Sequence, residues 1–361
     1  MKRGRVAVGM SGGVDSSAAA ALLLDQGYDV VGVTMRHLPP EAANSCCSLE
    51  ALVDARRVAK KLGIEHHVVD VEAAFTANVI RPFEEAYLAG QTPNPCAACN
   101  RHIKFGALWQ WAAAAGADHV ATGHFARVVR APDHWELWRG ADVSKDQSYI
   151  LYALGQADLA HILFPLGAWT KAEVRAYAEE HGLATARKAE SQELCFVAKN
   201  DYRTYLGDHR PDARAVGDIV DTRGQRLGQH PGVAFFTVGQ RRGLGVQAAT
   251  PLYVVGVDAA ANRVVVGTHD EVLARGAAIT AVHYLDGRVP RAEVMGRVRV
   301  RAHATDSPAV WRPVGTDRAT VEFSEPEWAV TPGQVAVLYD GPRLVAGGRI
   351  DRIIPRHAGS T

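Results

Sequence analysis

Five cysteines occur in the 361-residue chain, and two of them, Cys96 and Cys99, lie three positions apart in "QTPNPCAACNRHIKFG". Thiols so spaced can hold a metal, form a disulfide or act as a nucleophile. A structural zinc site wants four ligands, and no fourth Cys or His stands at a convincing spacing. An odd cysteine count in a chain of this length does not resemble a secreted disulfide framework. Thiolate chemistry is the third option, because a thiolate is strongly nucleophilic near neutral pH and can carry a second sulfur as a persulfide. Cys195, in "ESQELCFV", is a further single thiol, far along the chain. Adjacent Cys46 and Cys47, in "NSCCSLE", point apart in an extended chain and read as a loop leading into a helix.

A second set of chemical residues stands near the start. "VAVGMSGGVDSSAAAALLL" places Gly9, Met10, Ser11, Gly12, Gly13, Val14, Asp15 and Ser16 between an apolar run and a helix-prone run. Backbone N–H groups and the positive end of a helix at such a junction can hold phosphate. Glycines let the oxygens approach, serines add donors, and Asp15 can hold a magnesium ion bridging phosphates. A Walker loop is excluded because no Gly-Lys-Ser/Thr follows, and the dinucleotide spacing G-x-G-x-x-G is missing.

These residues need elements to position them. Strands are expected at Val6–Met10, Asp29–Met35, His66–Val71 and Asp118–Thr122. Helices are expected at Ser16–Gln26, Leu49–Leu62, Ile103–Ala115 and Thr170–His181, the last opened by a Thr170/Glu173 capping box. Alternating strands and helices predict an α/β fold with a parallel sheet. After about residue 205 short β-rich segments alternate with Gly, Pro and Asp turns, predicting a small β-rich central domain and a C-terminal β-barrel. The expected boundaries are 1–205, 206–275 and 276–361.

"SGGVDSS" resembles the PP-loop of the ATP pyrophosphatases, which cleave ATP to AMP and pyrophosphate. The resemblance implies a Rossmann-like, adenine nucleotide alpha hydrolase-like domain. The ordered set "GMSGGVDSS", "TPNPCAACNRHIKFG", "ATGHFAR", "KDQSYILYAL", "FPLGAWTKAEVR", "ESQELCFV" and "HPGVAFFTVGQRRGLGV" is similar to the bacterial tRNA-specific 2-thiouridylase family. That resemblance implies ATP-dependent 2-thiolation of the wobble uridine, position 34, in tRNA. The uridine C2 oxygen is adenylated, pyrophosphate is released, and cysteine-borne sulfur displaces AMP. Cys99 is implied as nucleophile and Cys195 as persulfide carrier, joined in a transient Cys99–Cys195 disulfide that cellular thiols reset. Many members carry aspartate where this chain has Cys96. Three cysteines can instead hold an iron–sulfur cluster that delivers hydrosulfide, so Cys96, Cys99 and Cys195 form an alternative ligand set.

The same resemblance implies further contacts. Met35 and Gly123 would line the ATP site at the carboxyl edge of the sheet. Asn94, Pro95 and Cys96 would border the target base. Lys145, Asp146 and Gln147, and Arg241 and Arg242 in "GQRRGLG", would meet tRNA, with Lys145 on phosphate and Asp146 and Gln147 reading base edges or ordering the loop. A further tRNA contact is implied near Arg301 and Ala302, although the usual Arg-Tyr pair is missing. Arg297, Arg299 and Arg301, at period two, could form a one-faced stripe for phosphate.

A net charge of +1 gives no long-range pull on nucleic acid, so binding must come from local basic clusters. No long apolar run predicts a membrane span, and "MKRGRVAVGM" reads as a first strand and not as a signal peptide, which makes the cytoplasm the default. Expected partners are tRNAs for lysine, glutamate and glutamine and an upstream sulfur-donor protein; expected cofactors are ATP and magnesium. Two other readings compete: a PP-loop amide-forming synthetase, which leaves the cysteines idle, and a noncatalytic RNA-binding protein stapled by metal.

Overall fold

The computed structural model describes residues 3–38, 48–189, 194–197, 201–302 and 304–356. Cys46 and Cys47 lie outside the described residues. The chain divides into two compact units, Met1–Ile80, Pro95–Asn200 and Pro342–Leu344 in one, and Arg81–Asn94, Asp201–Gly341 and Val345–Thr361 in the other.

The first unit is built on a parallel sheet. Its strands are β1 (Arg5–Gly9), β2 (Asp29–Arg36), β3 (Glu65–Asp70), β4 (His119–Ala121) and, after an antiparallel hairpin of β5 (Ala126–Arg130) and β6 (Trp135–Arg139), β7 (Ile162–Leu163). The order is β3-β2-β1-β4-β7, all parallel. β1 therefore has β2 on one side and β4 on the other, and the chain reverses direction of travel across the sheet there. The carboxyl ends of β1 and β4 flank the crevice where such sheets bind ligands. Arg343 and Leu344 pair with Trp138 and Leu137 beside the hairpin.

Helix α1 (Val14–Asp25) follows the glycine loop and is buried from Val14 through Leu23 except for Asp15. Its run of alanines lets it approach the sheet closely, while Leu22 and Leu23 supply apolar area, about 1.5–3 kcal/mol each. Helix α2 (Leu49–Leu62) is amphipathic. Ser48 caps it by accepting from the Ala51 N–H, and Gly63 ends it in the left-handed conformation. The helix expected at Ile103–Ala115 starts earlier. It runs as Pro95–Cys99, a π-helical stretch Asn100–Ala107, and Leu108–Ala114. The helix Lys171–Glu180 has the Thr170/Glu173 capping box in place.

The second unit holds two β structures. β8 (Gly217–Asp221), β9 (Arg226–His230), β10 (Tyr253–Asp258) and β11 (Arg263–Gly267) form a sheet in the order β10-β11-β8-β9. β12 (Leu273–Tyr284), β13 (Val294–Arg299), β14 (Ser307–Val314), β15 (Arg318–Trp328), β16 (Val335–Asp340) and β17 (Arg343–Pro355) follow in the order β12-β15-β14-β13-β16-β17, and β12–β17 pairing closes the barrel. Trp311, Val321, Ala336, Leu338 and Ile350, all fully buried, fill it. Closure removes the exposed edges that an open sheet would present.

The arginine stripe is corrected by this barrel. β13 ends at Arg299, so Arg301 is not on the strand. Arg299 is buried, donates from Nε to Asp306 Oδ1 at 2.7 Å and lies over the Tyr339 ring. Arg297 donates to the Asp306 carbonyl. Asp306 thus engages two of the three guanidiniums, and no phosphate stripe forms. Arg301 Nη2 lies 3.7 Å from Glu327, and Ala302 is exposed beside it.

Candidate functional site

β1 delivers Gly9 and Met10 to its carboxyl end, and the glycine loop turns the chain into α1. Gly12 has φ of +69°, and a Cβ there would meet the Ala51 carbonyl oxygen at 2.2 Å, so only glycine fits. Serines knit the turn. Ser16 Oγ donates to the Gly13 carbonyl at 3.1 Å and accepts from the Ser11 N–H at 3.2 Å. Ser17 Oγ donates to the same Gly13 carbonyl at 2.8 Å. Thr34, on β2, donates to the Met10 carbonyl at 2.8 Å and pairs with His66 Nε2 at 2.9 Å, which fixes the entry to the loop.

Gly123 follows β4. A Cβ there would come within 2.6 Å of the Asp15 carbonyl carbon and 2.7 Å of the Ser16 nitrogen, so a bare backbone is what lets β4 close against the start of α1. His124 behind it is buried, with Nδ1 2.6 Å from Thr122 Oγ1. Burial first, then the charge of Lys104, push its pKa well below the ordinary histidine value, so its imidazole is neutral at physiological pH.

One cleft of about 350 Å³ gathers these groups. Gly9, Met10, Ser11, Asp15 and Ser16 line one side, with Met35 from the end of β2 and Gly123 from the end of β4. Pro95, Cys96 and Cys99 line another, and Cys195 enters from the segment 194–197. Phe196 packs edge-on against buried Phe75, with ring centroids 5.8 Å apart, which seats Cys195 on the cleft wall. Cys96 is exposed; Cys99 and Cys195 are half-buried. Cys96 and Cys99, and Cys195 almost a hundred positions on, therefore share a cavity with the phosphate-type loop.

Among the described residues no group of three or more His, Cys, Asp or Glu side chains gathers closely enough to hold a metal ion. Cys96, Cys99 and Cys195 line one cavity, as both the persulfide and the cluster reading require.

The sequence reading did not single out Lys171. Its ammonium lies 2.6 Å from Asp15 Oδ1, bringing a cation to the glycine loop from 156 positions away. The side chain is only 11% exposed. A signal was present: a lysine at the first position of a helix opposes the helix dipole, which favours acidic residues there. Such a local rule violation marks a functional demand. Lys104 was also missed; it lines the same cleft.

The triplet at 145–147 shows the second of the two roles open to its polar side chains. Asp146 has a side chain with no exposure and accepts from the Gly140 and Ser148 N–H groups at 3.2 and 3.0 Å. Gln147 accepts from the Phe125 N–H at 3.0 Å and lines the cleft. Both order the loop. Lys145 is half-buried beside them. In the second unit, Arg241 and Arg242 are exposed on a turn between Gly239 and Gly243, which have φ of +85° and +73°. Asn94 also belongs to that unit, next to Thr92 and Pro93, whose carbonyls accept from Gln334 Nε2 at 3.1 and 3.2 Å.

Residues 4–199 match a tRNA methyl transferase HUP domain, 203–268 a tRNA methyl transferase PRC-barrel domain, and 274–350 an aminomethyltransferase beta-barrel domain. The tRNA-specific 2-thiouridylase MnmA of Moorella thermoacetica is 48% identical over 355 residues, covering 96% of this chain and 99% of that protein. The protein of the same name from Carboxydothermus hydrogenoformans is 46% identical over 360 residues, covering 97% and 98%. This chain belongs to the tRNA-specific 2-thiouridylase family. The domain descriptions mention methyl transfer whereas the relatives are named for thiolation; a cleft lined by three cysteines sides with the relatives.

Among solved structures, a 4-thiouridine synthetase–RNA complex with bound ATP is similar at 18% identity and a TM-score of 0.40, covering 58% of this chain and 51% of that one. The U34-tRNA thiolase NcsA from Methanococcus maripaludis with its [4Fe-4S] cluster is similar at 20% identity and a TM-score of 0.35, covering 58% and 67%. Among the described residues no helix is long and apolar enough to cross a membrane.

Proposed function

We propose that this chain uses ATP to replace the C2 oxygen of the wobble uridine of tRNA with sulfur. One observation carries the reading: the glycine loop and Cys96, Cys99 and Cys195 line one cleft. The C2 oxygen of an amide-like carbonyl is a very poor leaving group, and transfer of AMP onto it makes it a good one. The loop from Gly9 to Ser16 presents backbone donors to the phosphates at the start of α1. Met35 and Gly123 border the nucleotide. Asp15 would hold magnesium together with phosphate oxygens, since one carboxylate plus phosphates suits that ion, which neutralises phosphate charge when bound.

Cys195 carries the incoming sulfur as a persulfide received from a donor protein. The terminal persulfide sulfur attacks C2, and AMP departs with the original oxygen and its electron pair. Cys99 thiolate then attacks the Cys195 sulfur. The S–S bond to the transferred sulfur breaks, 2-thiouridine is released, and a Cys99–Cys195 disulfide remains for cellular thiols to reduce. Pro95 and Cys96, with Asn94, border the target base, which splays out of a single-stranded loop at little cost. Substrates are the tRNAs for lysine, glutamate and glutamine. Residues 1–205 carry the chemistry, and 206–275 and 276–361 hold the RNA.

The decisive assay incubates the purified chain with unmodified tRNA transcript, ATP, magnesium and a persulfide donor. AMP and 2-thiouridine are expected in equal amounts by mass spectrometry; AMP-free or sulfur-free RNA under every redox condition defeats the reading.

Arg241 and Arg242 test the RNA side. The double change to alanine is expected to weaken tRNA binding about tenfold at ~0.1 M salt and to lower the slope of log K against log salt by roughly two. Filter binding across a salt series measures both, and an unchanged slope removes the two arginines from the interface.

A further inference from the structure

The π-helical stretch Asn100–Ala107 sits between Cys99 and the end of its helix. In an α-helix a residue five positions on points roughly 140° away. In the wider i→i+5 turn that offset shrinks to roughly 50°, so positions 99 and 104 come toward one face. The close approach behind this is visible at Gly106, where a Cβ would lie 3.2 Å from the Arg101 carbonyl oxygen, five residues back. Cys96, Cys99 and Lys104 accordingly all line the cleft.

Lys104 is half-buried, and among the described residues it has no carboxylate within ion-pair distance. Asp15, the acidic side chain on the cleft, is already matched by Lys171 at 2.6 Å. His124 is held neutral, partly by Lys104 itself, so it supplies no competing charge. The ammonium therefore acts on the same wall as His124, and the residue before His124, Gly123, packs on the Asp15–Ser16 backbone. Lys104 thus shares one cleft with the thiols and with the phosphate-type loop. A half-buried cation facing a cavity without a counter-charge is a place for an anion.

We infer that Lys104 is a further catalytic residue, whose ammonium contacts the α-phosphate of the adenylated intermediate and stabilises AMP as it leaves. The inference rests on the thiolation reading for its chemistry, because only there must a phosphate bridge the loop and the cysteines. Its division of labour with Lys171 is specific: Lys171, on Asp15, serves the phosphates that leave as pyrophosphate, and Lys104 serves the one that stays.

Calorimetric titration of adenosine and of AMP into the full chain tests the contact. Lys104→Met is expected to weaken AMP about tenfold and to leave adenosine within about twofold, because only AMP carries the phosphate. Single-turnover thiolation is expected to fall about 10²-fold, with the tRNA KM little changed, and Lys104→Arg is expected to recover at least a tenth of the lost rate. Lys104→Gln, which keeps most of the stem and removes the charge, gives an independent reading, and circular dichroism checks that each variant is folded. Parallel loss of adenosine and AMP binding, or unchanged AMP binding, overturns the assignment. If AMP discrimination depends on Lys104 but the wild type never thiolates tRNA, the phosphate contact stands and the thiolation reading falls.

Discussion

Cys99→Ser and Cys195→Ser are each expected to lower 2-thiouridine formation by roughly 10³-fold or more, while adenylation of the tRNA continues. A serine hydroxyl is not ionised near neutral pH and cannot carry a sulfur atom, so neither sulfur step has a substitute. The glycine loop, Met35 and Gly123 stand on other segments, and both changes are nearly isosteric, so the nucleotide side is left intact. Pyrophosphate release in a single turnover and 2-thiouridine by mass spectrometry separate the two steps. Cys96→Ser is the discriminating companion. On the persulfide route, which gives Cys96 no sulfur to carry, it retains activity within about tenfold. Loss as complete as that of Cys99→Ser, together with iron and sulfide in anaerobically purified protein, would replace the persulfide route with the cluster route.

The second large effect falls at the other end of the cleft. Lys171→Met is expected to lower adenylation about 10²-fold, and Asp15→Asn by a similar factor. Each removes one charge from the site where phosphate charge shifts during pyrophosphate loss. The 2.6 Å pair joins a lysine from the Lys171–Glu180 helix to the first turn of α1. Folding stability is expected to change by only about 1 kcal/mol in each variant, because Asp15 is about a third exposed and its partner can be replaced by water. Pyrophosphate release measured against ATP concentration, with thermal unfolding alongside, reads both quantities. A variant with wild-type adenylation would remove Lys171 from the phosphate site. A Tm fall of ten degrees or more would make its role structural.

Much of the α/β unit was legible because its rules are local. Apolar runs of four to seven residues, glycines after α2 and the Lys171–Glu180 helix, and the Thr170/Glu173 box each act within a few residues. The glycine loop was legible for the same reason, since a strand, a glycine turn and a helix start are contiguous. The helix from Pro95 was placed late because its π-helical middle breaks the 3.6-residue period on which sequence reading depends. The arginine stripe failed because period two says which residues share a face, not what the opposite chain brings; Asp306 met that face. For Asp146 and Gln147 the motif left open base reading or loop ordering, and nearby N–H groups donate to their side-chain oxygens.

By itself, the sequence determined the two chemical vocabularies of this protein, a phosphate-type loop and a set of thiols, and the order in which strands and helices carry them. Only the tertiary structure decided that these meet in one cleft, that Lys171 pairs with Asp15 of the loop, and that Lys104 lines the same cleft as Cys99. The physical reason is range. Capping, turn and periodicity preferences act over a few residues, whereas ion pairs and cavity walls join atoms ångströms apart in space and more than a hundred positions apart in the chain.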